Sequence, residues 1–225
     1  MVLGIDLVRI ALSNRLGKAM SVILDEVVEV ATVFAASGRD AFFMDRLDSA
    51  TNMSVLPSMV YLVVMGVAGC GKSSLGAALA QAEGLPLIEG DDHHSPSSRE
   101  KMRQGIALTD ADREGWLITL GQLLQAQPQG VVLTCSALKR TYRDRLRGAC
   151  PGLRFVFLEI DRSNAGQRVA ARAGTHFFSS ALVDSQFATL ESPVGEAGVL
   201  RLDALLDLST LQQQASAWIA TKEVA

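Results

Sequence analysis

From Val60 onward, short unbroken apolar runs alternate with longer stretches of helical spacing, the order expected of a parallel sheet covered on both faces. The runs predict strands at residues 61–65, 86–89, 131–134, 154–160 and 199–202. Between them, recurrence of apolar residues at three- and four-residue intervals predicts helices at 73–83, 99–104, 113–124, 142–147, 165–172 and 210–220. Residues 1–57 read differently. Val22, Ile23, Val27, Val30 and Val33 have helix-like spacing, and a Ser37-Gly38 break follows. This stretch is either a helical or poorly ordered N-terminal extension, or upstream sequence before a misassigned start, since Met53 and Met59 both precede the first strong strand. The expected division is therefore an extension over 1–57 and one catalytic domain over 58–225, a length that suits a single α/β core.

Composition narrows the class. With 48% hydrophobic residues, 20% charged and a net charge of -3, the chain reads as globular and mildly acidic. Such a surface repels nucleic-acid backbones, so an anionic ligand needs a focused basic pocket. The three cysteines, Cys70, Cys135 and Cys150, lack metal-type spacing and suit free thiols in a reducing cytoplasm. Asp25, Glu26 and Glu29 interrupt the apolar stretch near the start, against a membrane span or signal core.

The chemistry begins at Gly66-Val67-Ala68-Gly69-Cys70-Gly71-Lys72-Ser73, a full Walker A pattern between a predicted strand and a predicted helix. Glycines let consecutive N–H groups turn inward, and the helix that follows, which Ser74 helps to open, adds the positive end of its dipole. Lys72 is spaced to reach the β- and γ-phosphates of ATP, and the Ser73 hydroxyl to ligate Mg²⁺. Cys70 supplies backbone and packing. A base-reading Asn-Lys-x-Asp segment, which a switch GTPase would carry, is absent. A motor or AAA-type ATPase calls for an apolar strand ending in Asp, whereas residues 131–134 run into Cys135-Ser136.

The second predicted strand ends in Gly90-Asp91-Asp92-His93-His94, which sets carboxylates at the carboxyl edge of the sheet. Asp91, coming straight off the strand, is the candidate base for a small alcohol; Asp92 and His93 read as solvated loop. His94 is open to either of two parts, a donor to a substrate oxygen or a hydrogen-bonding core histidine. Downstream, Lys101, Arg103, Arg113, Lys139, Arg140, Arg143, Arg145 and Arg147 concentrate positive charge. An arginine fork fits a carboxylate, so a substrate with one carboxylate and several hydroxyls suits Arg113 and some of the Arg140 to Arg147 cluster, while at least half of these side chains read as a solvated helix face. Arg168 and Arg172 share one helical face ahead of Ala173-Gly174-Thr175-His176-Phe177-Phe178, a segment expected to act as a lid carrying cations over ATP.

Taken together, residues 65–73, Glu89-Gly90-Asp91 with His94, Glu100-Lys101-Met102, Asp110-Ala111-Asp112-Arg113 with Trp116-Leu117, and Cys135-Ser136-Ala137-Leu138-Lys139-Arg140 with Tyr142-Arg143 resemble the small gluconokinase family. The likeness continues through Arg168, Arg172, His176-Phe177, Ser185-Gln186-Phe187 and Thr189-Leu190-Glu191, and so covers nearly everything after Val60. It implies a nucleoside-monophosphate-kinase-like, three-layer α/β fold with a five-stranded parallel sheet, helices on both faces and a helical lid, assembled as a homodimer. It also implies transfer from ATP, with Mg²⁺, to D-gluconate, giving 6-phospho-D-gluconate. By position it makes Lys72, Asp91, Arg168 and Arg172 the catalytic set and places Asp91, His94, Lys101, Arg113, Ser136 and Arg140 on the gluconate side. Two departures stand out: Ser95 separates His94 from Pro96 where the family has proline directly, and the lid is longer than usual. Kinases of shikimate, adenylylsulfate or nucleoside monophosphates would share the loop, but the Cys135 to Arg140 block speaks against them. A non-catalytic nucleotide binder would have lost Asp91 or the lid arginines, and both are present.

Overall fold

The computed structural model of the chain describes residues 59–171 and 180–221. The expected N-terminal extension, Arg172, and the lid segment from Ala173 to Phe178 lie outside the described residues.

At the centre runs β1 (Val60–Met65), parallel to β3 (Gly130–Thr134) on one side and to β4 (Arg154–Glu159) on the other. Outside these lie β2 (Leu87–Glu89) beside β3 and β5 (Val199–Asp203) beside β4, both parallel, so the order is β2-β3-β1-β4-β5. The chain builds one half of the sheet, returns to β1 and builds the other. The carboxyl end of β1 is thus the point where strand order reverses, the place where ligands of open α/β sheets bind.

Side-chain alternation along β1 creates both cores. Leu62 and Val64 face α1 (Lys72–Glu83) and α7 (Leu208–Ala220), where Leu75, Leu79, Leu211 and Ile219 complete the layer. Val63 and Met65 face α3 (Asp110–Gln125) and α4 (Arg140–Ala149), meeting Trp116, Leu120 and Leu146. Burial on both faces is why the strands read as unbroken apolar runs, and each fully buried Leu or Phe contributes roughly 1.5–3 kcal/mol.

All five strands lie where the apolar runs predict them. Helices begin earlier than periodicity suggests, in several cases because a polar cap recruits the preceding turn. In α2 (Pro96–Arg103), the Ser95 side chain accepts from Ser98 N–H with Pro96 in the first turn, so the inserted serine becomes a cap. In α3, Thr109 and Asp112 form a reciprocal capping box. After α5 (Arg162–Ala171) comes α6 (Ser180–Thr189), a helix that periodicity did not single out; neither an acid in its first turn nor a base in its last marks it.

Candidate active site

The loop leaving β1 is held close to its surroundings. Gly69 has φ 83°, and a Cβ there would stand 2.7 Å from the Ala165 carbonyl oxygen of α5, so both conformation and space demand glycine. Gly71 opens α1 with no side-chain cap, which leaves first-turn N–H groups free for an anion. Lys72 curls back over the loop, its Nζ donating to the Val67 carbonyl at 3.1 Å. Cys70 is buried, and burial pushes its thiol up, so it stays protonated and packs.

A carboxylate absent after β3 arrives from its neighbour. The β2–β3 register pairs Glu89 with Thr134, and Glu89 Oε2 accepts hydrogen bonds from Thr134 Oγ1 at 2.5 Å and Ser73 Oγ at 3.1 Å. The candidate metal ligand Ser73 therefore sits beside an acid. The sequence signal for it was the Glu-Gly-Asp run at a strand end, but only the register brings it to Ser73.

Beyond β2, Gly90–His93 forms a single 3-10 turn. Gly90 presses so near β3 that a Cβ would lie 2.3 Å from the Thr134 carbonyl oxygen, and its own carbonyl accepts from Trp116 Nε1 at 2.7 Å. These contacts fix the turn that carries Asp91. His94 stacks on Trp116 with centroids 4.2 Å apart and is only 5% exposed. Burial holds its pKa below the ordinary value, with Arg113 and Arg99 adding to the effect and Asp91 opposing it, so the ring is neutral at pH 7. Its Nδ1 is buried without a partner among the described residues, and such a group calls for a ligand or water.

Ser136 sits in the Cys135 to Lys139 loop, where buried Ala137 has φ 44°, a left-handed conformation costly outside glycine. Arg143 holds it: fully buried, it donates to the Ala137 and Leu138 carbonyls at 2.9 and 3.0 Å, while the Glu196 carboxylate accepts from its Nε and Nη2 at 3.0 and 2.5 Å. Leu138 O also accepts from Glu191 N–H, and the Glu191 carboxylate from Arg140 N–H, so two segments distant in sequence brace one another. Burial pushes the Cys135 thiol up to about 12, so it stays protonated.

One pocket gathers loop residues Ala68, Gly69, Gly71, Lys72, Ser73 and Ser74 on one wall. Asp91, His94, Arg113 and Ser136 form the other. Gly66, Val67 and Cys70 lie behind the loop rather than on the wall. Arg113 spends one N–H on the Leu108 carbonyl at 2.5 Å and carries further donors on the same guanidinium. Lys101 and Arg140 are off the wall: Lys101 Nζ donates to Asp112 at 2.6 Å, and Arg140 pairs with Asp144 at 3.7 Å. Arg168 reaches the loop from α5, donating to the Gly69 and Ala204 carbonyls at 3.5 and 3.0 Å. Periodicity and motif spacing passed over Leu108 and Leu182 on the wall, and Met102 entered only as part of the resemblance; these residues carry no chemical signature, only position. Among the described residues no cluster of three or more His, Cys, Asp or Glu forms a metal cage, and no helix is long and apolar enough to cross a membrane.

A family model described as an AAA domain matches residues 62–193, a class that the end of β3 argued against and that the named relatives narrow. The chain is 43% identical over 155 residues to a gluconokinase of Gluconobacter oxydans, covering 68% of this chain and 85% of that protein. It is 37% identical over 156 residues to a thermosensitive gluconokinase of Escherichia coli, covering 68% and 83%. Among solved structures, a gluconokinase from Sinorhizobium meliloti superposes with a TM-score of 0.67 at 47% identity, covering 72% of this chain and 91% of that one. A shikimate kinase from Acinetobacter baumannii, at TM-score 0.53 and 12% identity, shares the fold alone.

Proposed function

This chain belongs to the gluconokinase family, and from that premise we propose that its pocket transfers the γ-phosphoryl group of ATP to the terminal hydroxyl of D-gluconate. The products are ADP and 6-phospho-D-gluconate. The observation that carries this reading is that the phosphate loop and Asp91, His94, Arg113 and Ser136 line one cleft.

In the proposed reaction, Asp91 accepts the hydroxyl proton as that oxygen bonds to the γ-phosphorus and the bond to the ADP oxygen breaks. Lys72 and the loop N–H groups hold the phosphates, and Arg168 with Arg172 offsets charge spreading onto the transferred group. The remaining donors of Arg113 suit the gluconate carboxylate, and the Ser136 hydroxyl and unpartnered His94 Nδ1 suit its hydroxyls. Lys101 and Arg140 join the substrate side on the resemblance; in the structure Lys101 steadies Asp112, the capping residue of the helix that bears Arg113.

The oxygen donors beside the loop fit Mg²⁺, which seeks one or two protein ligands along with phosphate oxygens and water. Ser73 would hold it, with Glu89 within hydrogen-bond reach of that hydroxyl. When bound, the ion supplies neutralisation of phosphate charge. Glu89→Gln is expected to raise the Mg²⁺ concentration for half-maximal activity by about tenfold or more. A Mg²⁺ titration at saturating ATP and gluconate checks this, and an unchanged midpoint removes Glu89 from the metal's surroundings.

On the resemblance we extend the proposal to a cytoplasmic homodimer. The test of function is ADP release with ATP and Mg²⁺ in the presence of gluconate, shikimate, adenylylsulfate or AMP. Gluconate alone should stimulate turnover; the absence of stimulation by gluconate would overturn the reading.

A further inference from the structure

The Ser185-Gln186-Phe187 block has no part in the reaction as described, yet α6 brings it to the phosphate loop. Leu182 and Val183 are buried, and Phe187 packs against the core under α1 and α5 with the Arg162 guanidinium over its ring at 5.9 Å. Arg162 also pairs with Asp184 at 3.3 Å. Anchored in this way, α6 holds Gln186 at a defined height, and both Ser185 and Gln186 line the same cleft as Asp91 and Ser136.

Gln186 Oε1 accepts a hydrogen bond from the Ala68 N–H at 2.6 Å. A backbone N–H is a donor only, so the atom facing it must be the amide oxygen, which settles the orientation of the amide. The amide NH2 therefore points elsewhere, and no described residue takes its two donors. The same bond occupies one N–H of the loop, leaving phosphate binding to those from Gly69 onward. A neutral amide is a poor match for a phosphate already met by Lys72 and the α1 dipole, but a good match for a hydroxyl oxygen.

We propose that Gln186 is a specificity-determining residue for the acceptor: pinned to the phosphate loop through its oxygen, it donates its amide N–H to a hydroxyl oxygen of the sugar acid. The acceptor is thereby registered against the same loop that holds ATP. Because the bond runs to the loop backbone, a small displacement of either substrate is felt by the other.

The inference rests on the gluconate reading, and the test separates the two. Wild type, Gln186→Leu and Gln186→Glu are assayed with ATP and with a set of gluconate analogues each lacking one hydroxyl, the analogue without the terminal hydroxyl being measured as a competitive inhibitor. Gln186→Leu should raise KM for gluconate roughly tenfold while changing KM for ATP little. For one analogue that gap should vanish, because the bond is missing on both sides. Gln186→Glu keeps an oxygen for Ala68 N–H but has no amide donors, and it should be impaired toward gluconate like the leucine variant. A gap that persists with every analogue, a gap confined to KM for ATP, or recovery of gluconate KM in Gln186→Glu would each overturn the proposal. Failure of the wild type to use gluconate would instead overturn the underlying function.

Discussion

Asp91→Asn is expected to lower kcat for gluconate by about 10²- to 10⁴-fold, the range for loss of a positioned general base. Asparagine keeps the size and the hydrogen-bonding reach of the side chain but cannot accept the hydroxyl proton. The surrounding turn should survive, since it is held by bonds that do not involve the Asp91 side chain: Trp116 Nε1 donates to Gly90 O at 2.7 Å and His94 N–H to Asp91 O at 3.4 Å. KM for ATP should therefore stay near its wild-type value, because Asp91 lies on the turn after β2 and not in the phosphate loop. Asp92 occupies the same 3-10 turn without lining the cleft, which makes Asp92→Asn the control. Steady-state kcat and KM for both variants decide the matter. A large loss in Asp92→Asn with little in Asp91→Asn would transfer the role to the neighbouring residue.

The largest stability effect is expected at Arg143. Arg143→Met strands the Ala137 carbonyl, leaves the Leu138 carbonyl with only the Glu191 N–H, and removes the partner that meets Glu196 through two donors, in a site where the guanidinium is fully buried. Breaking such a pair from one side costs roughly 3–5 kcal/mol, a fall in Tm on the order of 10 °C for a domain of this size. Ala137 is then no longer held at φ 44°, so Ser136 should lose its position and KM for gluconate should rise as well. Adding Glu196→Leu should recover part of the stability, since the carboxylate left behind keeps only Arg147, at 2.8 Å, as its partner. A melting temperature within a degree or two of wild type would mean the network contributes little.

The same pair sets an acid limb. Burial pushes the Glu196 carboxyl up, but the hydrogen bonds and charges of Arg143 and Arg147 outweigh it and hold the group below its ordinary 4.5. A depressed carboxylate contributes stability that is complete above its unfolded value and lost as pH falls through the folded one. The gap in Tm between wild type and Arg143→Met should accordingly narrow as pH drops below about 4.5.

Much of this site is written in local chemistry. The Walker A run lies between an apolar strand and a helix, and its anion-binding geometry follows from glycine conformation and a helix N-terminus, both properties of neighbouring residues. The strands were legible because burial on two faces leaves unbroken apolar runs, and Asp91 because it leaves the carboxyl end of one of them. Arg113 was legible as one of a cluster of cations and Ser136 through the family resemblance, although charge alone did not separate Arg113, on the cleft wall, from Lys101 and Arg140, whose ends turn to Asp112 and Asp144.

What required the tertiary structure are the partnerships between residues far apart in the chain. Glu89 meets Ser73 only because β2 pairs with β3 in the register that sets it against Thr134. Arg143 looked like one more cation on a helix face; it is buried because Glu196, from beyond α6, comes back to meet it. Gln186 shares a hydrogen bond with Ala68 across 118 positions. A sequence displays periodicity and local hydrogen-bonding chemistry directly, since these depend on neighbours. The partner of a buried polar group is chosen by strand order and packing, and those are decided by the whole core at once.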